Sequence, residues 1–282
     1  MSSDASSRLP CYFLSHGGPT LVLDNENSEY KFLQQWGDKV LKEIQPKAIV
    51  IISAHWETKG EIRVGKFEGE TPIIYDFGGF SEELYRQEYH SKGSPELAEK
   101  IVNLLKKENF KASVDTTRGL DHGVWVPLKV AIPEPKDIPI VQISLMRHAS
   151  YEYNIKVGRT LAPLRDEGVL IIGSGTMVHN LRDVFRHFNR VTNAFSRKVL
   201  PYTINFEKDL DKILLESKGE EREKQLIKLI DHPHLRQAHP TDDHLVPIHI
   251  AAGAAGQDQG KKIFEQLTTG MSLGSVEFCA SG

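Results

Sequence analysis

The sequence predicts one α/β domain, on two observations. Short apolar runs rich in β-branched residues alternate along the chain with segments of helical periodicity, the pattern of strands joined by crossover helices. The run Ala48–Ile52 is apolar on both faces, and Ile138–Ser144 and Val169–Ile172 read as further buried strands, as expected of strands covered on both sides. With 282 residues and 39% hydrophobic content there is material for one large core, and no repeat, low-complexity tract or linker divides it.

Taken in order, residues 1–8 are polar and Ser-rich and read as a disordered tail. Residues 9–14 form a strand, closed by a Gly-Gly-Pro turn at 17–19. Tyr30, Leu33, Trp36, Val40 and Ile44 recur at helical spacing over 28–44, and Pro46 stops that helix. After the strand at 48–52, residues 61–67 alternate like an edge strand or hairpin arm, and 72–80, with aromatics and a Gly-Gly pair, form a shaped loop. Ser94 caps and Pro95 opens a helix to about Lys107. A strand at 112–115, a helix over 151–165 and an apolar helical face of Leu181, Val184, Phe185 and Phe188 follow. Residues 191–230 read as mostly helical, with the charge run at 216–228 a solvated surface. Thr241 caps a helix whose first turn holds Asp242 and Asp243, where the dipole favours acids. Gly253 and Gly256 read as close helix packing, and 274–279 as the last strand.

The net charge of −3 provides no field for nucleic acid or an anionic membrane. No run approaches the length of a membrane span, and the N-terminus lacks the build of a signal peptide. Cys11 and Cys279 read as two reduced thiols. The chain is expected in the cytoplasm, or in cytoplasm and nucleus.

Histidines carry the chemistry. His16 follows the first strand and precedes two glycines, which let a ligand approach closely. His55 directly follows the strand that ends Ile52-Ser53-Ala54. In an open α/β sheet such strand ends collect the active site, and imidazole is the commonest metal ligand. A mononuclear metal enzyme is the first hypothesis. His239 and His244 compete for a further position, and residue type and spacing do not separate them. His249, five residues after His244, faces about 140° away around a helix. His122 follows Asp121, which either orients the imidazole or turns the chain. His179 follows Gly173-Ser174-Gly175-Thr176, a stretch lacking both the phosphate-loop and the dinucleotide pattern. Ser174 also lacks the Gly-x-Ser-x-Gly elbow of a nucleophile. His232 and His234 sit in a polar loop, and His90, His148 and His187 read as structural or exposed.

Phe13–Pro19, Val50–Trp56, Tyr75–Phe80, Gly119–Trp125, Gly173–Leu181 and His239–Pro247, in this order, resemble the class III extradiol ring-cleaving dioxygenases, in particular their DOPA dioxygenase-like branch. The resemblance spans about residues 9 to 280. It implies a single α/β domain, 9–282, with a mixed central β-sheet flanked by helices on both faces. It implies one divalent metal per chain, held by His16, His55 and His244, the second histidine of the last stretch. Zinc is expected in the isolated protein and Fe(II) for ring cleavage. His179 is implied as the acid/base, and His122 as a residue that lines the site and donates a hydrogen bond there. The substrates would be a catechol and O2, and the product a muconic semialdehyde. Trp56, Phe77 and Phe80 are candidates for an aromatic wall, and Asp24 or the backbone of the Gly-Gly turns for partners of the ligand imidazoles. A three-histidine set also suits a zinc hydrolase, and the fold also suits a non-catalytic interaction protein.

Overall fold

A computed structural model describes residues 8–189, 194–195 and 198–280. Its centre is an eight-stranded mixed sheet. The strands are β1 (Cys11–Ser15), β2 (Ala48–Thr58), β3 (Ile62–Gly65), β4 (Ala112–Asp115), β5 (Ile140–Met146), β6 (Val169–Gly175), β7 (Gln259–Phe264) and β8 (Ser275–Cys279), in the spatial order β7-β8-β1-β6-β2-β5-β3-β4. The run β1-β6-β2-β5 is parallel, while β8 is antiparallel to both β1 and β7. β6 therefore lies between β1 and β2, with Ser174 in register with Leu14 on one side and Ser53 on the other.

Side-chain alternation splits the core between the two faces. Tyr12, Leu14, Ile49, Ile51, Leu170 and Ile172 face α1 (Ser28–Lys39) and α3 (His122–Ala131). Phe13, Val50, Ile52, Val141 and Ile171 face α2 (Pro95–Lys107), α4 (Tyr151–Leu161), α5 (Pro201–Glu216), α6 (Gly219–Lys228) and α7 (Val246–Ala255). α7 is buried along its whole length. Its approach to the neighbouring elements depends on glycine. A Cβ on Gly158 of α4 would lie 2.0 Å from the Ile250 carbonyl oxygen, and one on Gly253 would lie 2.2 Å from that of Ile155. Gly173 and Gly175 of β6 meet the Pro247 and His244 carbonyl oxygens in the same way, each at 2.3 Å. At the other end Arg165 donates to the Ala254 carbonyl and Arg222 to the Gly256 carbonyl, each at 2.7 Å, satisfying carbonyls that a helix C-terminus leaves open.

Most elements lie where the sequence places them, with several differences. The 61–67 strand is not an edge, because β4 pairs outside it. The helix expected to begin near Thr241 begins at Val246, after a turn in which Leu245 and Val246 donate to the Asp242 carbonyl. The acids that would have opened it have other partners: Asp242 binds Arg236 and the Tyr151 hydroxyl, and Asp243 binds His244. The helix after His179 spans only Leu181–Arg186, and two residues of its apolar face remain exposed, Leu181 at 42% and Phe185 at 64%. α3 and β7 were not foreseen. Gly253 packs as expected, while Gly256 ends α7 at φ +58°. Both cysteines are free. Of the expected N-terminal tail, residues 1–7 lie outside the described residues, as do 190–193 and 196–197 of the 191–230 segment and its approach. Arg8 hydrogen-bonds the Ala162 carbonyl.

The turn after β1 covers a buried acid. Gly17 is left-handed at φ +61°, and a Cβ there would lie 2.5 Å from the Glu29 Oε2 atom. Glu29 is buried in the first turn of α1, its Oε1 without a hydrogen-bond partner. Burial pushes its carboxyl up to about 8.

Gly253→Ala is expected to lower stability by about 1–3 kcal/mol through overpacking, whereas Gly78→Ala, whose Cβ meets nothing within 4 Å, should change it by less than about 0.5 kcal/mol; urea unfolding of both variants checks this. Glu29 binds its proton more tightly folded than unfolded, so its contribution is full at acid pH and declines as pH rises toward about 8. Glu29→Gln should remove that decline and leave the variant more stable than wild type at pH above about 8, read from urea midpoints across the pH range.

Candidate metal centre

Three imidazoles converge at the carboxyl ends of the parallel strands. His16 leaves β1 as its backbone N–H donates to the Gly175 carbonyl at 3.3 Å. His55 lies within β2 where the pairing with β5 slips between Ile52 and Glu57, an irregularity of the kind that re-aims a side chain. His244 sits in the turn before α7, where its carbonyl accepts from Thr176 N–H at 3.1 Å. The shape of Gly175 and the entry of α7 therefore set the position of His244.

The Nε2 atoms of His16 and His55 are 3.1 Å apart, and those of His55 and His244 are 3.2 Å apart. All three ligand atoms lie within 4.8 Å of one another. Metal–imidazole bonds of about 2.1 Å place adjacent donors about 3.0 Å apart in an octahedral set and about 3.4 Å apart in a tetrahedral one. The two measured separations fall between these values, so the group could hold one ion of either preference. The His244 Nδ1 lies 2.5 Å from the Asp243 carboxylate. It must donate there, which leaves the Nε2 lone pair for a metal. The His16 Nδ1 lies 3.0 Å from the Ser174 hydroxyl. Burial first, then the neighbouring imidazoles, hold His16 and His244 well below the ordinary imidazole range. Burial brings His55 down to about 3. All three are neutral at physiological pH, the form that binds metal.

His179 and His122 lie beside this group. The His179 ring stacks on His244 with centroids 3.6 Å apart and planes 7° from parallel. Its backbone position is set by an antiparallel pairing with Met271. Burial lowers its pKa to about 4. His122 begins α3, its ring centroid 4.0 Å from that of His55. The Asp76 carboxylate accepts from the His122 backbone N–H at 2.9 Å and from Nδ1 at 3.0 Å. A neutral His122 thus presents an acceptor nitrogen, and the donor role expected of it requires a second proton.

His239 is buried elsewhere, with Nε2 2.8 Å from the Met177 carbonyl, and His249 stacks on Tyr151. Neither belongs to the cluster. Asp24 plays no part: its carboxylate accepts from Asn27 near the start of α1. The partners that sequence reasoning missed are Asp76, Asp243 and Ser174. Asp76 lies inside the Tyr75–Phe80 stretch, and Asp243 directly precedes the ligand candidate it supports, so adjacency was the available signal for both. Of the three aromatics expected as a wall, Phe77 packs against the His122 ring at 5.8 Å and Phe80 packs on Phe77 at 5.4 Å. Trp56 is buried with the Arg118 guanidinium 5.6 Å from its ring centroid. No described helix is long and apolar enough to cross a membrane.

Residues 10–277 match the family described as the catalytic LigB subunit of aromatic ring-opening dioxygenase. The 4,5-DOPA dioxygenase extradiol of Beta vulgaris is 39% identical over 274 residues, 96% of either chain. The 4,5-DOPA dioxygenase extradiol of Escherichia coli K12 is 35% identical over 252 residues, 89% of this chain and 86% of that one. A 4,5-DOPA dioxygenase extradiol-like protein of Schizosaccharomyces pombe is 34% identical over 270 residues, covering 90% and 88%. The crystal structure of an uncharacterized Escherichia coli K12 protein, JW3007, superposes with a TM-score of 0.77 at 30% identity, covering 96% of this chain and all of that one.

Proposed function

The chain belongs to the LigB family of aromatic ring-opening dioxygenases, and on that premise we propose that it opens the ring of a DOPA-like catechol beside its hydroxyls, consuming O2 and giving a muconic semialdehyde. His16, His55 and His244 hold one divalent metal per chain. Fe(II) bound there supplies the redox chemistry that joins O2 to the ring, and zinc fits the same donors. The observation that carries this reading is the convergence of three neutral imidazoles, two buried and one half-buried, on one point.

His179 is the acid/base. With its pKa lowered by burial to about 4, it carries a free lone pair at neutral pH and can take a hydroxyl proton from the catechol, then return it as the ring opens. Such a group contributes about 10²–10⁴ in rate. His122, fixed by Asp76, offers its remaining nitrogen to a substrate hydroxyl. Phe77 closes the His122 side of the site, excluding water there and presenting an aromatic surface to the catechol ring. The catechol and O2 are its small-molecule partners, and it acts in the cytoplasm, or in cytoplasm and nucleus.

Anaerobic loading with Fe(II), followed by a panel of catechols and admission of O2, tests the reading. A coloured product that contains both atoms of O2 supports it. Zinc-dependent ester or amide cleavage without O2 uptake, or retained metal with neither activity, overturns it. His16→Ala, His55→Ala and His244→Ala should each bring bound metal well below one per chain, while His239→Ala and His249→Ala retain it, by metal analysis of the purified variants. His179→Ala should bind metal and catechol normally yet turn over at least ~100-fold more slowly in single-turnover kinetics. Loss of metal and activity together would make His179 a ligand instead.

A further inference from the structure

The Gly173-Ser174-Gly175 stretch is neither a phosphate loop nor a nucleophile elbow. Ser174 is buried in β6 between β1 and β2. Its hydroxyl has two neighbours, the Gly123 carbonyl oxygen at 2.5 Å and the His16 Nδ1 at 3.0 Å.

A hydroxyl carries one hydrogen, and a carbonyl oxygen can only accept. The Ser174 hydrogen therefore goes to Gly123, and the oxygen turns its lone pairs toward His16. Nδ1 must then carry the ring's proton, and the Nε2 lone pair faces His55. The Gly123 carbonyl is available for a reason visible in the sequence. It lies in the first turn of α3, and the residue four positions on, whose N–H would bond it in a regular helix, is Pro127, which has none. The same turn also bears on His55: a Cβ on Gly123 would lie 2.9 Å from the His55 Cδ2 atom and 2.6 Å from the Ser53 hydroxyl. Gly173 and Gly175, which cannot take a side chain against the Pro247 and His244 carbonyls, pin the serine between them.

We infer that Ser174 is a positioning residue for His16: its hydroxyl, anchored on the carbonyl that Pro127 leaves free, holds the imidazole in the one tautomer that turns Nε2 to the metal. The backing is neutral, unlike the Asp243 carboxylate behind His244, so it selects the tautomer without adding charge. This inference rests on the three-histidine metal reading.

The test compares wild type, Ser174→Ala, Ser174→Cys and His16→Ala. Zinc affinity is measured by competition with a chelator, and the His16 tautomer by long-range ¹H–¹⁵N NMR of the zinc-free protein. Loss of such a partner of a ligand typically weakens metal binding 10–100-fold. Ser174→Ala should show that loss and a mixture of Nδ1–H and Nε2–H forms, where wild type shows Nδ1–H alone. Ser174→Cys, with a weaker donor of similar size, should fall between and should fold where the alanine variant fails to. A role in packing alone would leave the tautomer unchanged. Zinc affinity within about twofold of wild type in Ser174→Ala, with His16 still wholly Nδ1–H, overturns the inference. Wild-type zinc affinity in His16→Ala overturns the metal reading beneath it, a separate failure.

Discussion

Three imidazoles are held with their Nε2 atoms turned toward one another in a largely buried site. By itself this arrangement is unfavourable, since polar ring nitrogens lose hydration when they are crowded together. The surrounding structure has to enforce it, and much of the fold can be understood as that enforcement. β6 is inserted between β1 and β2, so the strand ends that deliver His16 and His55 are set in register by a third strand. α7 approaches that strand at backbone distance because Gly173 and Gly175 have no side chains, and His244 arrives with it. The arginines that cap the far end of α7 fix the same helix from its other terminus.

The partners behind the imidazoles are not equivalent. His244 has a carboxylate on its Nδ1 and His16 a hydroxyl. His55 Nδ1 is 3.8 Å from Asp76, whose hydrogen bonds go to His122 instead. The hydrogen-bonded support behind the three rings is therefore graded around the cluster, strongest on the His244 side. His179 stacks on that same ring, so the proposed acid/base sits against the candidate ligand that has the carboxylate partner.

How much of this could be read from the sequence follows from where each signal resides. His16 and His55 were legible because they follow runs whose burial on both faces marks interior parallel strands, and such strands end in the active crevice. The choice between His239 and His244 was not legible from the residues. It depends on which backbone carbonyl each ring meets, and His239 is taken up by Met177, a contact made across 62 positions of sequence. α3 was invisible because it is buried all round and carries Pro127, so neither polar periodicity nor propensity marks it. β7 was hidden by Gly260 and two lysines, and its strand state comes from pairing with β8 rather than from composition. The helix start near Thr241 failed for a related reason. Asp242 and Asp243 are good opening residues in isolation, and tertiary partners claim both.

The placement of β6 also bears on the chain as it is synthesised. β1 and β2 emerge early but share no hydrogen bonds with each other, because the strand that joins them begins only at Val169. The partner on the other side of β1 is made later still, at Ser275–Cys279. His16 and His55 thus leave the ribosome with nothing to align them, and His244 follows 189 positions after His55. A site assembled from such distant contacts forms late and slowly. Until β6 is made, the histidines that the fold brings together are scattered along the nascent chain with no shared geometry.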